Sequence, residues 1–173
     1  MNDMVNQIER LQAVVELRSA IGSGRAGLSR GEDHEEAWHP RVMLVDDDQG
    51  FRTMLRDWLS DMGVTEVAMA KDGAEAVELA GLINPDLILM DLRMPKMDGI
   101  EAARRIKASL PEVQVVMLSG YGDERLQQAA EEAGVYSYLV KGCPPEVLWH
   151  TIQFSKTLKR RADQDLLVNV SSW

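Results

Sequence analysis

From Arg41 onward the chain repeats one pattern five times: a short apolar run followed by a segment whose apolar residues have helical spacing. The first and third runs contain no polar residue, which is typical of strands buried on both faces. The five predicted strands are residues 42–45, 64–70, 87–90, 113–118 and 136–140. Five strand–helix units in succession predict a parallel sheet covered by helices on both faces and joined by right-handed crossovers.

The segments between the strands carry helix start and stop signals. The five predicted helices are residues 51–62, 73–81, 99–109, 123–133 and 145–160. Asp72 is placed to cap the second helix, and Pro145 occupies the first turn of the fifth. Gly63 and Gly134 follow the first and fourth helices, where glycine commonly ends a helix.

The segment before Arg41 has a different pattern. In residues 1–21, apolar residues at steps of three and four form one helical stripe: Met1, Met4, Ile8, Leu11 and Val15. Residues 22–39 contain several glycines and an acidic run, which predicts a flexible linker. We therefore expect an N-terminal amphipathic helix at 1–21, a linker at 22–39, a folded domain at 40–160 and a tail at 161–173. The stripe either packs on its own domain or contacts another chain as a short coiled coil, and we favour the second alternative.

Charge and cysteine content limit the classes of partner. The chain has 28 Asp and Glu against 19 Lys and Arg, a net charge of -9, which argues against direct nucleic-acid binding. The lone Cys143 cannot form an internal disulfide, which favours a reducing compartment. No apolar run approaches the ~18–20 residues of a membrane span. We therefore expect a cytoplasmic protein that crosses no membrane.

Polar residues follow the predicted strands at the points where they end. Asp46 and Asp47 follow the first strand, Asp91 the third and Lys141 the fifth, and Ser119 ends the fourth. Because the carboxyl ends of parallel strands lie at one edge of a sheet, these side chains should meet in one crevice.

Those residue types predict a chemistry. Carboxylates held close together repel one another, and a divalent cation relieves that repulsion; Mg²⁺ prefers oxygen ligands and is often bound beside a phosphate. Lys141 supplies a compact positive charge suited to a phosphoryl oxygen or to an ionised Asp91, and Ser119 supplies a hydroxyl donor. An aspartate nucleophile with a metal, a lysine and a hydroxyl predicts an aspartyl-phosphate site.

Four separate segments then resemble, in order, the receiver domain of two-component response regulators. They are residues 45–48 (VDDD), 91–99 (DLRMPKMDG), 118–120 (LSG) and 138–141 (YLVK). The resemblance covers about residues 40–160. It implies an α/β, flavodoxin-like (βα)5 doubly wound sheet with strand order 2-1-3-4-5, here with an N-terminal helical extension.

The same resemblance implies roles for the acidic residues. Asp91 would be the phosphoacceptor, supplied by a histidine kinase or a histidine phosphotransfer protein. Asp46 and Asp47 would position Mg²⁺ together with Asp91 and the backbone carbonyl of Arg93.

It also implies how the signal leaves the site. Ser119 and Lys141 would contact the phosphoryl group, and Tyr138 would be the switch aromatic that turns inward as Ser119 moves. The fourth helix, fifth strand and fifth helix would then present a changed surface to an unknown downstream protein or to a second copy; the N-terminal helix is another possible dimer contact. The sequence departs from the family pattern at Gly142, where Pro is usual, and at Gly120, where Ala is usual. The turn after Lys141 must therefore be held by other means, for which Pro144 and Pro145 are candidates.

Three functions stay open at this point. The first is a phosphorylation-dependent signalling switch that is not an enzyme and acts by protein–protein interaction. The second is the receiver part of a DNA-binding transcriptional regulator whose output domain is absent, since too few residues follow Arg160 for a helix-turn-helix domain. The third is a haloacid-dehalogenase-like phosphatase, because Asp46 and Asp48 have the spacing of its Asp-x-Asp pair. The Asp91 motif and the five short units fit a receiver better.

Overall fold

A computed structural model of the protein describes residues 40–120 and 124–155. Its five strands are β1 Val42–Val45, β2 Val67–Ala70, β3 Leu87–Asp91, β4 Gln114–Ser119 and β5 Ser137–Val140. They form one sheet in the order β2-β1-β3-β4-β5, and every neighbouring pair is parallel. The predicted fold class and strand order are confirmed. The predicted helix at 1–21, the linker at 22–39 and the tail at 161–173 lie outside the described residues.

Helices follow the strands throughout the described part of the chain. They are α1 Gln49–Asp61, α2 Gly73–Ile83, α3 Gly99–Ser109, α4 Glu124–Glu132 and α5, which is helical over residues 145–155. Asp48, Asp72 and Asp98 cap the first three, each accepting a hydrogen bond from the backbone N–H three residues later at 2.8–3.1 Å. Among the described residues, no helix is both long enough and apolar enough to cross a bilayer.

Two apolar clusters lie on opposite faces of the sheet. Successive strand residues point to opposite faces, so Met43 and Val45 join one cluster while Val42 and Leu44 join the other. The first cluster contains residues of α2 and α3, and the second contains residues of α1 and α5. Burial on both faces is why β1 and β3 are continuous apolar runs. The sheet is thereby held between two helical layers, and its carboxyl edge is left for polar side chains.

The observed element boundaries differ from the predicted ones mainly at β2. This strand begins at Val67 rather than at residue 64, because the N–H of Val64 donates to the Leu59 carbonyl and closes the end of α1. Gly63 makes that turn with φ of 89°. Helix α2 continues past Gly81 to Ile83 and is capped by Asn84, whose φ of 47° is left-handed. The remaining predicted boundaries that can be compared lie within two residues of the observed ones.

Candidate functional site

A cleft of about 310 Å³ lies at the carboxyl edge of the sheet, beyond the ends of β1, β3, β4 and β5. Its lining residues are Asp46, Asp47, Asp48, Asp91, Leu92, Arg93, Ser119, Gly120 and Lys141. The structure thus brings together six of the seven residues singled out from the sequence. The seventh, Tyr138, is half-buried on β5 and packs against the cluster that contains α2 and α3.

Three carboxylates converge in this cleft. Asp46 follows β1 and is 3% exposed, and Asp91 ends β3 and is 6% exposed, whereas Asp47 is exposed. One oxygen of each lies within 4.8 Å of an oxygen of the others. Such a spacing allows all three to face a single cation.

Lys141 lies between the two buried carboxylates. Its ammonium is 2.6 Å from Asp46 Oδ2 and 2.8 Å from Asp91 Oδ1, and its side chain is only 7% exposed. The backbone fixes this position, because the Lys141 N–H donates to the Ser119 carbonyl at 2.6 Å and so extends the pairing of β4 with β5. One ammonium therefore contacts two buried carboxylates at once.

Burial and charge act in opposite directions on the acids. Burial raises the pKa of Asp46 above its ordinary value, and the Lys141 ammonium partly offsets that rise. The pKa of Asp91 is raised in the same way, with Lys141 again opposing the effect of burial. When the three acids are ionised, three negative charges face one positive charge. A divalent cation would neutralise the excess, and the three carboxylates form an oxygen donor set of the kind that Mg²⁺ prefers.

The loop after Asp91 is fastened at both ends. The Gly99 N–H donates to the Leu92 carbonyl at 2.9 Å, and a Cβ on Gly99 would collide with the Asp91 backbone carbonyl. Glycine is therefore required for α3 to begin so close to β3. Lys96 has a left-handed φ of 65° and places its ammonium 2.6 Å from Asp72 Oδ2, which ties the loop to the cap of α2. Sequence reasoning missed this ion pair, since nothing local links the two residues.

The turn after Lys141 is held by glycine geometry. Gly142 has φ of 93°, and the Cys143 N–H donates to the Val140 carbonyl at 2.9 Å. A positive φ at the third position of a hydrogen-bonded turn is the usual reason for glycine there. Pro145 begins α5. The turn is thus closed before the two prolines that the sequence offered as candidates.

Two further side chains at this edge have structural contacts that bear on the site. The Asp48 N–H donates to Asp46 Oδ1 at 2.9 Å, and the Asp48 carboxylate caps α1. Phe51, on the first turn of α1, has its ring centroid 4.7 Å from the Lys141 ammonium. Sequence reasoning did not identify Phe51, because helical spacing indicates only that it is apolar.

Comparison with known proteins identifies relatives of this domain. The family model described as the response regulator receiver domain matches residues 42–153. The transcriptional regulatory protein PdtaR of Mycobacterium tuberculosis is 41% identical over 109 residues, covering 63% of this chain and 53% of PdtaR. The chemotaxis protein CheY of Bacillus subtilis is 39% identical over 101 residues, covering 58% of this chain and 84% of CheY. The chain spans about half the length of PdtaR and of the response regulator protein VraR.

Solved structures show the same likeness. The signal receiver domain of NarL from M. tuberculosis superposes with a TM-score of 0.62 at 30% identity, covering 68% of this chain and 97% of that one. The chemotaxis protein CheY4 of Vibrio cholerae has a TM-score of 0.63 at 31% identity, covering 68% of this chain and 99% of that one.

Proposed function

Since the chain belongs to the response regulator receiver domain family, we propose that it is a phosphorylation-dependent switch of a two-component system, with Asp91 as phosphoacceptor. The observation that carries the proposal is the position of Asp91 at the end of β3, buried beside Asp46 and within 2.8 Å of the Lys141 ammonium. Histidine kinases or phosphotransfer proteins phosphorylate receiver domains, and we propose the same source here. The cytoplasm, where the lone Cys143 would stay reduced, is the location that this source favours.

Asp91 acts in this proposal as a nucleophile. An oxygen of its carboxylate forms a bond to phosphorus while the bond from phosphorus to the donor histidine nitrogen breaks, and that nitrogen keeps the electron pair. The Lys141 ammonium favours the ionised, nucleophilic form of Asp91 against the effect of burial. Lys141 and the Ser119 hydroxyl then donate to phosphoryl oxygens at the same edge of the sheet.

We propose that Mg²⁺ is the cofactor, held by Asp46, Asp47, Asp91 and the Arg93 backbone carbonyl. When bound, the ion would neutralise charge on the transferring phosphoryl group. The support for this assignment is the convergence of the three carboxylates within 4.8 Å.

The output of the switch is proposed to be a protein contact. Tyr138 pairs with Met117 across β4 and β5, and Ser119 ends β4 two residues further on. We propose that Ser119 moves toward the phosphoryl group and that Tyr138 then turns inward, which changes the surface of α4, β5 and α5. Val140 and Phe154 on this part of the domain are 41% and 60% exposed, and such apolar side chains suit a downstream protein or a second copy of the chain.

Labelling of the full chain by phosphoramidate in Mg²⁺ tests the acceptor. We expect the parent to be labelled, Asp91→Asn not to be labelled, and Asp98→Asn to be labelled like the parent. Asp98 is a matched control because it is an exposed acid of the same motif whose role is to cap α3, and Asn caps a helix about as well as Asp. Labelling of Asp91→Asn at the parental level would reject the assignment.

The length of the relatives favours a second candidate function. PdtaR, named as a transcriptional regulatory protein, is about twice the length of the matched region, so the alternative proposal is the receiver part of a DNA-binding regulator. A native reading frame that continues past Trp173 into a helix-turn-helix domain would favour this candidate, and a frame that stops there would favour the stand-alone switch. The relatives reported above are regulatory and chemotaxis proteins, and we propose that this chain likewise acts as a switch rather than an enzyme.

A further inference from the structure

Three groups of the described domain lie close to the Lys141 ammonium in the cleft. Two are the carboxylate oxygens Asp46 Oδ2 and Asp91 Oδ1, at 2.6 and 2.8 Å. The third is the ring of Phe51, whose centroid lies 4.7 Å away. Because the Lys141 side chain is only 7% exposed, the ring lies against a cation that has little contact with water.

An aromatic ring attracts a cation over its face, and the attraction strengthens when the cation is shielded from water. An aliphatic side chain of similar size fills the same space without that attraction. Phe51 lies on the first turn of α1, which Asp48 caps next to the cleft. The ring therefore adds a third attraction, besides those of the two carboxylates, that favours the observed position of the ammonium.

We propose that Phe51 is a positioning residue that holds the Lys141 ammonium between Asp46 and Asp91 and thereby weakens Mg²⁺ binding in the unphosphorylated protein. The inference rests on the proposed metal site. The ammonium and the metal ion compete for the same two carboxylates, so any contact that favours the resting lysine position lowers the affinity for the ion by linkage. When a phosphoryl group arrives, it offers the ammonium a new partner, and the competition is relieved.

A double-mutant cycle on the full chain tests whether Phe51 acts through Lys141. The four proteins are the parent, Phe51→Leu, Lys141→Met and the double variant. Each is titrated with MgCl₂ at neutral pH without a phosphoryl donor, and the Kd is taken from the backbone amide shifts of Leu92 and Gly120, which line the cleft. Amide shifts report binding even at millimolar affinity and also show whether each variant is folded.

We expect Phe51→Leu to bind Mg²⁺ about three- to five-fold more tightly than the parent, which corresponds to about 0.6–1 kcal/mol. Phe51→Tyr keeps a ring and should stay within about two-fold of the parent. In the Lys141→Met background, Phe51→Leu should no longer change the Kd. Phe51→Met, which also lacks a ring, should reproduce the result of Phe51→Leu and replaces it if that variant is unfolded.

Two results would overturn the inference. One is an unchanged or weaker Kd in both ring-free variants. The other is an equal change with and without Lys141, which would show that Phe51 acts by packing against its apolar neighbours. A parent protein that never saturates with Mg²⁺ would instead reject the proposed metal site. A parent that binds the ion while the Phe51 variants do not differ from it would reject this inference alone.

Discussion

Replacement of the proposed phosphoacceptor should stabilise the protein in the absence of metal. Asp91→Asn preserves the shape of a side chain that is 6% exposed and keeps an oxygen that can accept from Lys141. It removes a negative charge that lies within 4.8 Å of charges on Asp46 and Asp47. We therefore expect this substitution to stabilise the protein, whereas removal of one partner of a buried ion pair ordinarily destabilises it.

The size of the effect follows from these distances. At an effective dielectric constant of about 20, each repulsion across the 4.8 Å limit is about 3.5 kcal/mol, and the attraction across the 2.8 Å contact with Lys141 is about 6 kcal/mol. The two repulsions and the one attraction nearly cancel, so the cost of burying the charge, which is the largest cause of the raised pKa of Asp91, sets the sign of the change. Asp91→Asn releases that cost, and we expect a net stabilisation of about 1 kcal/mol.

The pH dependence has a definite sign. Burial raises the pKa of Asp91 in the folded protein above its ordinary value of 3.8, so the folded state holds the proton more tightly than the unfolded state does. Ionisation of Asp91 therefore costs stability at every pH above the folded-state pKa. This cost declines as the pH falls through that pKa and is gone below 3.8. The advantage of Asp91→Asn should be present at pH 7 and should shrink in acid.

Urea unfolding of the full chain at pH 7 in EDTA measures the difference. We expect Asp91→Asn to be more stable than the parent by about 1 kcal/mol at an unchanged m value. The control Asp98→Asn should stay within about 0.5 kcal/mol of the parent. Added Mg²⁺ should stabilise the parent more than Asp91→Asn, because the variant has lost a proposed ligand. If Asp91→Asn instead lowers the free energy of unfolding by about 1 kcal/mol or more in EDTA, the contact with Lys141 outweighs the repulsion and the reasoning is refuted.

Three further predictions concern residues that shape the loops and turns around the site. Gly142→Ala should lower the free energy of unfolding by roughly 1–2 kcal/mol because its φ is 93°. Gly120→Ala, whose added Cβ would meet no atom of the described residues within 4 Å, should change that free energy by less than about 0.5 kcal/mol; equal losses in urea unfolding would contradict this. Lys96→Met should lower the thermal midpoint of unfolding at pH 7. The hydrogen bond with Lys96 holds the pKa of Asp72 below 3.8, so the difference in midpoint between variant and parent should vanish as the pH falls through that folded-state pKa. A difference in midpoint that persists in acid would count against the ion pair. Gly99→Ala should lower the free energy of urea unfolding by about 1–3 kcal/mol and should also reduce phosphoramidate labelling. A variant as stable as the parent would contradict the close approach of the Gly99 backbone to β3.

The sequence predicted which acids and which lysine would meet, because the carboxyl ends of parallel strands lie at one edge of a sheet and the strand ends can be located from the apolar runs. It could not assign separate contacts to three consecutive aspartates. The turn decides this: Asp46 is buried and accepts the Asp48 N–H, Asp47 is exposed, and Asp48 caps α1. The contact of Phe51 with Lys141 could not be predicted from the sequence either, because it depends on how α1 lies against the end of β5 and not on any local pattern.

The position of Lys141 suggests how charge at the cleft would reach the surface. If Asp91 is phosphorylated as proposed, the group adds about 1.5–2 negative charges and draws the ammonium away from its resting contact with Asp46. Lys141 directly follows edge strand β5 and is joined to α5 by the closed turn at Gly142. A shift of its side chain would therefore act first on β5 and α5, the two elements that carry the exposed Val140 and Phe154. A preference of the phosphorylated protein for the shifted state by about 5.5 kcal/mol would almost fully invert the population of the two states.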